Sequence, residues 1–257
     1  MSNPEVLGGF PGRNVLSPRR LVNGFLGLFV KKVDFVLIGH RGWPAHFPDN
    51  TLTGFLAVAA VADGVELDVR RSADGKLVLS HDPFMEGMPV SSTPWSELAK
   101  LDIGGGHHPG LLDEVLAALP STPVHLEVKN WPTDPGFEPD HRIALDVAQR
   151  ARPGDLVTGF NPDSMAAVRR VFPDVPTGLC VSAFIALDEA VKHCLEGGHT
   201  ALIPAHSLIN EDLNVNLEVF PWTVNDTERA RELVEFGVTG IITDDAALMS
   251  TSLRRDQ

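Results

Sequence analysis

Two histidines, an arginine and two carboxylates occur at a spacing that could carry out metal-assisted chemistry on a phosphate ester. His40 and Arg41 come first, Glu66 and Asp68 follow in an apolar run, and His81 comes soon after them. Carboxylates bind divalent cations through oxygen, a guanidinium matches phosphoryl oxygens, and two imidazoles can transfer protons near neutral pH. These residue types therefore predict attack on a phosphate ester with help from a bound cation.

The alternation of the run Val65–Val69 places its two acidic residues on one face. Successive side chains of a strand point to opposite faces, so Glu66 and Asp68 point the same way. Two neighbouring carboxylates repel each other, and a cation relieves that repulsion. The alternative interpretation is that both residues belong to the solvent-exposed face of an antiparallel strand, but the histidines nearby favour a cation site.

A third acidic residue extends the pattern in the segment Val124–Lys129. Glu127 and Lys129 alternate there in the same way and share a face. A Glu-x-Lys pair alone is commonly a surface ion pair that contributes little. Beside the other acidic residues, Glu127 becomes a third candidate carboxylate, and Lys129 offers a compact positive charge to a phosphate oxygen or to the carboxylates.

Five short motifs together resemble those of the glycerophosphodiester phosphodiesterase family. The family's H-R-G, P-E-N-T, E-L-D-V, H-D and E-V-K motifs correspond, in order and spacing, to His40–Gly42, Pro48–Thr51, Glu66–Val69, His81–Asp82 and Glu127–Lys129. The resemblance extends from about residue 36 to residue 248, because segments near the C-terminal end resemble the family's last two strands.

This resemblance implies a TIM (β/α)₈ barrel of the phospholipase C-like phosphodiesterase type, with a small hairpin insertion after strand two. The implied reaction is metal-dependent hydrolysis of glycerophosphodiesters to glycerol 3-phosphate and an alcohol. The implied cofactor is one divalent cation, Mg²⁺ or Ca²⁺. The resemblance assigns the acid/base pair to His40 and His81, the metal ligands to Glu66, Asp68 and Glu127, phosphate binding to Arg41 and Lys129, and a pocket wall to Trp222.

Three departures from the family pattern concern the substrate rather than the phosphate chemistry. Asp49 replaces the glutamate of P-E-N-T, and Phe84–Thr93 lacks the R-T-T-x-G stretch that is usual after H-D. The stretch Leu101–Leu112 is short and rich in Gly and His, which leaves little room for a segment that caps the substrate. The identity of the alcohol therefore stays open at this point.

Strand and helix patterns alternate along the chain, as in a parallel barrel. The predicted strands are Phe35–Gly39, Val65–Val69, Val124–Val128, Leu156–Phe160, Thr177–Val181, Ala201–Pro204, Glu218–Thr223 and Gly240–Thr243. The predicted helices are Thr51–Ala62, Leu111–Leu119, Arg142–Ala151, Asp163–Val171, Leu187–Leu195 and Thr227–Phe236. Asn50 or Thr51 is the expected cap of the first helix, and Asn50 is a candidate for fixing the His40 loop as well. A further strand, Lys76–Ser80, follows the Asp74-Gly75 turn and predicts a hairpin that lifts His81 over the barrel mouth.

The predicted strands place the candidate residues on one rim. Active sites of such barrels collect at the carboxyl ends of the strands. Candidate polar residues lie at or just after the ends of five strands: His40, Arg41, Asp68, Glu127, Trp222 and Asp244. The other histidines lack a carboxylate at ligand spacing and are interpreted as surface or packing residues, although His107 and His108 follow a flexible triple-glycine loop.

The amino-acid composition limits which binding partners and which cellular compartment are expected. The 257 residues carry a formal net charge of −13, which argues against nucleic-acid binding and against docking to anionic lipid. The expected partner is a small-molecule phosphodiester that is drawn in by local positive charge. The only two cysteines, Cys180 and Cys194, lie outside any metal or redox motif. Free, packed thiols in a reducing cytoplasm are therefore expected.

Residues 1–33 are interpreted as an N-terminal extension that precedes a single catalytic barrel at 34–257. The apolar run Leu21–Val30 is too short to span a bilayer, and no small-residue cleavage site follows it. Its helical spacing predicts a short amphipathic segment packed on the barrel. The alternatives are contact with a membrane surface or a subunit interface, as in a homodimer.

Three rival functions remain to be distinguished. A lysophospholipase D-like hydrolase would want an apolar groove near Trp43, Phe47, Phe84 and Trp222. A catalytically silent barrel would only bind a phosphoryl ligand, yet every expected site position holds a competent residue. A phosphate-binding isomerase would want a Gly-rich loop after the last strands, where Thr243–Asp245 is acidic instead. Two nucleophiles also stay open: water, or the substrate's own glycerol hydroxyl, which would give a cyclic phosphate first.

Overall fold

Eight parallel strands form the centre of the structure, and each comes from a short, mostly apolar run of sequence. This computed structural model describes residues 35–254. Eleven strands occur in chain order: β1 Val36–Gly39, β2 Gly64–Arg71, β3 Leu77–Leu79, β4 Phe84–Met85, β5 Met88–Pro89, β6 Val124–Val128, β7 Leu156–Gly159, β8 Thr177–Val181, β9 Ala201–Pro204, β10 Glu218–Val219 and β11 Gly240–Thr243. Strands β3, β4 and β5 belong to an insertion, and the other eight are parallel to one another.

The eight parallel strands close into a barrel. Hydrogen bonds join them in the order β10-β9-β8-β7-β6-β2-β1-β11. The two ends of this order also meet, because the Thr239 amide donates to the Val219 carbonyl and the Ile242 amide donates to the Pro221 carbonyl, both at 3.0 Å. The predicted (β/α)₈ barrel is therefore confirmed.

Helices connect the strands on the outside of the barrel. They are α1 Leu52–Val58, α2 Trp95–Leu98, α3 Leu112–Ala118, α4 Arg142–Ala148, α5 Pro162–Val171, α6 Leu187–Glu196, α7 Thr227–Glu235 and α8 Ala246–Arg254. Side chains at the first turns fix several starts: Asn161 accepts from the Asp163 amide, and Asp226 accepts from the Arg229 amide. The six predicted helices are present, with α1 ending four residues early, whereas α2 and α8 were not predicted.

One predicted strand is much shorter than expected. The pattern indicated Glu218–Thr223, but β10 comprises only Glu218 and Val219. Pro221 has no N–H to offer to a ladder, which explains why regular pairing stops before it. The segment still runs along β9, because the Trp222 amide donates to the Pro204 carbonyl at 3.0 Å.

The predicted hairpin after the second barrel strand is present. Strand β3 pairs antiparallel with the end of β2, with Val69 opposite Leu79, and Gly75 has the positive φ of 83° that the turn requires. The Ser80 amide then donates to the Asp68 carbonyl at 3.0 Å. This pairing carries the next residue, His81, to the carboxyl end of the barrel.

Strand alternation divides the core into two layers. Leu67 faces outward into a layer between barrel and helices that includes Phe55 of α1 and Val115 of α3. The lower interior of the barrel is filled by a second layer: Ile38, Leu156, Cys180, Ala201, Ile203, Phe220 and Ile242. This apolar interior closes the barrel below the acidic and basic residues that gather at its carboxyl end.

The predictions about the cysteines, the N-terminal extension, the cellular location and the oligomeric state have different outcomes. Cys180 and Cys194 are buried and free, as predicted. Within residues 35–254 no helix is long and apolar enough to cross a membrane. The predicted extension 1–33 and its amphipathic segment Leu21–Val30 lie outside the described residues. The cytoplasmic location, the homodimer and the domain boundary at residue 33 stay predictions.

Candidate active site

Three carboxylates meet inside the carboxyl end of the barrel. Glu66 and Asp68 come from β2, and Glu127 comes from the neighbouring β6, where it lies opposite Asp68 in the strand register. One oxygen of each lies within 4.8 Å of the others. Glu66 and Asp68 are almost fully buried. The period-two pattern thus brought all three predicted ligands to one place, called here the carboxylate cluster.

Of the three carboxylates in the cluster, Glu66 has its negative charge least offset by neighbouring groups. Its Oε2 accepts from the Arg41 amide at 3.0 Å, whereas its buried Oε1 has no hydrogen-bond partner among the described residues. Burial, and then the charges of Asp68 and Glu127, raise the pKa of Glu66 well above its ordinary value. A buried carboxylate oxygen without a partner, beside two further carboxylates, fits a hard divalent cation that binds oxygen ligands.

Asp68 is held ionised by the protein itself. Its Oδ1 lies 2.8 Å from Lys129 Nζ, and its Oδ2 lies 3.1 Å from Arg41 Nε. Burial alone would raise the pKa of Asp68, but these two cations outweigh it and lower the pKa to about 2. The carboxylate is therefore charged at any pH at which the protein is expected to work.

Lys129 lies inside the carboxylate cluster. Its ammonium pairs with Glu127 as well as with Asp68, and it lies 5.8 Å from the centre of the Phe160 ring. Burial acts to lower the pKa of Lys129, but Glu127 and Asp68 outweigh burial and raise it above its ordinary value. A permanently charged ammonium at this position offsets part of the negative charge of the cluster.

Asn50 supports the carboxylate cluster, and of the two predicted caps of α1, Asn50 and Thr51, only Thr51 is confirmed. Thr51 caps α1 by accepting from the Gly54 amide. Asn50 is almost fully buried, donates from Nδ2 to Asp68 Oδ2 at 2.9 Å and accepts from the Asp68 amide at 3.1 Å. Strand β1 pairs only with the first two residues of β2, so the Asn50 side chain takes over the backbone pairing where that ladder has ended. The capping rule could not reveal this long-range role.

We expect Asn50→Gly to lower the free energy of unfolding by about 1–3 kcal/mol, because a buried amide and a buried carboxylate each lose a hydrogen bond. Glycine accepts the positive φ of 58° at this position. Urea denaturation would measure the change. Glu86→Gly is the matched control, since Glu86 has a φ of 47° in an exposed turn. Equal losses in both variants would show that the Asn50 side chain contributes nothing.

His40 and Arg41 follow β1 directly, in a tight turn. Arg41 has a φ of 51° and Gly42 a φ of 90°. A Cβ on Gly39 would lie 2.7 Å from the Gly42 carbonyl oxygen, so only glycine allows the chain to fold back there. The turn directs Arg41 to Asp68 and to Asp49, whose Oδ2 lies 3.0 Å from Arg41 Nη1.

The His40 ring is anchored from the last strand. Its Nδ1 lies 2.6 Å from Asp244 Oδ1, and Asn225 Nδ2 donates to Asp244 Oδ2, also at 2.6 Å. The sequence places Asp244 on the rim but indicates no role for it, and it does not single out Asn225. The sequence signal for both is a polar residue after each of two strands, β10 and β11, that become neighbours in the closed barrel.

His81 enters the site from the hairpin insertion. Arg70 donates from Nε and Nη2 to the His81 carbonyl oxygen at 2.9 and 2.8 Å, and also from Nη2 to Asp134 at 2.9 Å. The His81 Nδ1 lies 2.7 Å from Asp82 Oδ1. Burial, with the charge of Lys129, lowers the pKa of His81. The neutral imidazole is thus favoured, and Arg70, which sequence reasoning missed, fixes the loop that carries it.

Most of the proposed catalytic and binding side chains line one cavity, which is named the active-site cavity. Both candidate histidines, Arg41 and Lys129 line it, together with Glu66 and Glu127. One wall is apolar: the indole of Trp222 donates to the Ile203 carbonyl at 2.9 Å and packs edge-on against Phe160 at 5.5 Å. Buried His125 lies in the floor and packs edge-on against Phe220 at 4.8 Å.

The proposed lipid groove is only partly found. Of its four aromatic residues, Trp222 lines the cavity, whereas Trp43, Phe47 and Phe84 do not. His107 and His108 do not line it either: His107 packs near Phe47, and His108 binds the Leu101 carbonyl. The apolar wall therefore consists of barrel residues.

Comparisons with known proteins agree with this geometry. The sequence profile of the Glycerophosphoryl diester phosphodiesterase family matches residues 40–248. A glycerophosphodiester phosphodiesterase from Caldanaerobacter subterraneus subsp. tengcongensis is 28% identical over 249 residues, which cover 86% of this chain and 98% of that protein. One from Bacillus subtilis is 26% identical over 271 residues, covering 90% of this chain and 86% of that protein.

Solved structures share the barrel. An Oleispira antarctica phosphodiesterase in complex with the product sn-glycerol-3-phosphate has a TM-score of 0.74 and 21% identity, covering 85% of this chain and 96% of that chain. A glycerophosphodiester phosphodiesterase from Parabacteroides distasonis has a TM-score of 0.72 and 22% identity, covering 88% and 100%. At these identities the similarity establishes the fold.

Proposed function

Because this chain belongs to the glycerophosphoryl diester phosphodiesterase family, we propose that it hydrolyses glycerophosphodiesters to glycerol 3-phosphate and an alcohol. One observation carries the proposal: a single cavity at the carboxyl end of the barrel is lined by both candidate histidines, Arg41, Lys129, Glu66 and Glu127, and Asp68 completes the carboxylate cluster. A silent phosphoryl-binding barrel would have no need of acid/base groups in that arrangement.

The carboxylate cluster would hold one divalent cation, Mg²⁺ or Ca²⁺, by oxygen ligands. When bound, the cation supplies positive charge where negative charge grows on the phosphoryl oxygens. The chain's own residues prepare the cluster for it. Asn50 and Arg41 fix the orientation of Asp68, and Lys129 ties Asp68 to Glu127.

Arg41 and Lys129 are the chain's own binding groups for the phosphodiester. Both line the cavity, and both keep their positive charge because neighbouring carboxylates raise their pKa values against the effect of burial. In a largely buried site their attraction for a phosphate is stronger than it would be in water. They therefore draw an anionic substrate to a protein whose net charge is −13.

His40 and His81 are the proposed acid/base pair. One removes the proton of the nucleophile, and the other protonates the departing alkoxide. Both line the cavity, and each is oriented through Nδ1 by a carboxylate, which leaves Nε2 for proton transfer. In-line displacement at phosphorus requires two such groups.

A lysophospholipase D-like activity is a second candidate, and the apolar wall of Trp222, Phe160 and Ile203 favours it. This wall could accept part of an acyl chain. It could equally cover the carbon face of a glycerol. The first reaction remains the proposal, because three of the aromatic residues expected for a lipid groove do not line the cavity.

A substrate panel tests the choice. The full chain, with Mg²⁺ or Ca²⁺, is incubated with glycerophosphocholine, glycerophosphoethanolamine and lysophosphatidylcholine, and the products are separated. We expect glycerol 3-phosphate from the first two, with kcat/KM of about 10⁴ M⁻¹s⁻¹ or higher. Faster release of lysophosphatidate would replace this proposal by the lipid activity. Failure to cleave any of the three would count against both.

A further inference from the structure

We propose that Asp244, held by Asn225, is a positioning residue that fixes the ring of His40 and directs its Nε2 into the active-site cavity. The inference rests on the proposed acid/base role of His40. It assigns to two residues of the last barrel connections a task that the carboxylate cluster and the phosphate-binding residues do not perform.

The backbone of His40 is fixed without Asp244. Gly39 pairs with Thr243 across β1 and β11, and the His40 amide donates to the Thr243 carbonyl at 2.9 Å. These bonds leave the imidazole free to rotate about its side-chain torsions. The only hydrogen bond of the ring within the described residues runs from Nδ1 to Asp244 Oδ1, at 2.6 Å. The Asp244 side chain therefore determines the direction of the ring, while the strands determine its place.

Asn225 fixes the orientation of Asp244. Its Oδ1 accepts from the Asp244 amide at 2.9 Å and from Thr243 Oγ1 at 3.2 Å. The amide group of Asn225 can therefore present only its Nδ2 to Asp244, where it donates to Oδ2 at 2.6 Å. With one carboxylate oxygen occupied in this way, the other faces His40. Each of the three side chains, Asn225, Asp244 and His40, therefore has a fixed role as hydrogen-bond donor or acceptor in this network.

This polarity selects one tautomer of His40. An ionised carboxylate only accepts hydrogen bonds, so Nδ1 must carry the proton and the neutral ring keeps its lone pair on Nε2. Hydrogen bonds from His40 and Asn225 outweigh burial and lower the pKa of Asp244, which keeps the carboxylate charged. A charged partner also stabilises the imidazolium that forms when Nε2 takes up a proton.

The two histidines differ in how firmly they are held. Asp244 has a side chain 33% exposed and lies 204 residues from His40 in sequence, directly after β11. Asp82 is the sequence neighbour of His81, and its side chain is 74% exposed. A solvated neighbour restrains a ring less than a strand-anchored carboxylate. Asp82→Asn therefore serves as a comparison rather than a neutral control, and we expect it to lower kcat less than Asp244→Asn does.

Exchange of the two polar groups provides the test. In Asp244→Asn, the fixed Nδ2 of Asn225 attracts the new amide oxygen, so the new amide nitrogen faces His40 and forces its proton to Nε2. In the double variant Asn225→Asp with Asp244→Asn, the carboxylate at position 225 attracts the new amide nitrogen, and the amide oxygen faces His40 again. The double variant restores the original hydrogen-bond polarity at the ring, although the negative charge has moved from position 244 to position 225.

Turnover of glycerophosphocholine should follow this polarity. We expect Asp244→Asn to lower kcat about 100-fold, within the range that positioned acid/base groups contribute, with KM changed by less than about threefold because substrate binding is untouched. We expect the double variant to recover at least about tenfold of that loss, as coupled groups do. Asp82→Asn should stay within about tenfold of the unchanged protein.

Nitrogen NMR of histidine-labelled protein, recorded without substrate, gives a readout independent of turnover. The inference expects an Nδ1-protonated His40 in the unchanged protein and in the double variant, and an Nε2-protonated ring in Asp244→Asn. It is overturned if the tautomer is the same in all three. It is equally overturned if Asp244→Asn keeps its kcat, or unfolds and is not rescued by the second change. Unchanged turnover in His40→Ala would instead reject the proposed role of His40 itself.

Discussion

His40→Ala is expected to lower kcat by about 10²–10⁴-fold, which is the usual contribution of a positioned general acid or base. The imidazole lies in the active-site cavity, with its Nδ1 held by Asp244. Removal of the ring leaves Arg41, Lys129 and the carboxylates of the cavity in place. Substrate binding should therefore persist, and KM should change little. Steady-state hydrolysis of glycerophosphocholine measures both constants.

His108→Ala is the matched control for this variant. His108 is exposed, bonds to the Leu101 carbonyl and does not line the cavity. Its removal should leave kcat within about twofold, as surface substitutions usually leave the protein undisturbed. If both histidine variants lost activity equally, the effect would have nothing to do with a proton at the cavity.

A change of leaving group separates the tasks of His40 and His81. An activated alcohol such as nitrophenol departs without protonation, so a phosphodiester of this kind no longer needs the general acid. We expect one of the variants His40→Ala and His81→Ala to recover most of its rate on this substrate, and the other to stay slow. Equal recovery by both would contradict a division of labour between acid and base.

Glu66→Gln is expected to weaken divalent-cation binding by more than about 100-fold. Substitution of a residue that only hydrogen-bonds to a metal ligand commonly lowers metal affinity 10–100-fold, and loss of a ligand itself should lower it more. Glu66 contributes the buried oxygen that has no partner among the described residues. The amide keeps the shape of the side chain but removes a charge that burial and two neighbouring carboxylates disfavour. The cation-free variant should therefore be at least as stable as the unchanged protein.

Cation-dependent stabilisation provides the measurement. A cation present at 100 times its dissociation constant should stabilise the unchanged protein by about 2.7 kcal/mol, and Glu66→Gln should gain almost nothing at that concentration. Glu218→Gln is the control, since burial also raises the pKa of Glu218, at the far end of β10. Equal stabilisation of the unchanged protein and Glu66→Gln would place the cation elsewhere.

The sequence predicted the barrel and the carboxylate cluster for a physical reason. A buried strand imposes a period of two, so Glu66, Asp68 and Glu127 had to share the interior once β2 and β6 were neighbours. The closed barrel then brought the ends of all eight parallel strands to one rim. Local patterns and a known order of motifs were sufficient for both inferences.

Contacts that depend on barrel closure were beyond the sequence. The distance between His40 and Asp244 became short only because β1 and β11 are neighbours. Local sequence indicates for Asn50 only a cap or a support of the His40 loop, whereas its hydrogen bonds to Asp68 compensate for an early end of the β1–β2 ladder. Phe160 was overlooked because an apolar residue at a strand end resembles any core residue until the cavity is seen.

The most direct measurement of the central claim is hydrolysis of glycerophosphocholine by the full chain before and after chelation of divalent cations. We expect the release of glycerol 3-phosphate to stop in excess chelator and to return when Mg²⁺ or Ca²⁺ is added back, because the carboxylate cluster and the two histidines act only together. Undiminished hydrolysis in excess chelator would contradict the account.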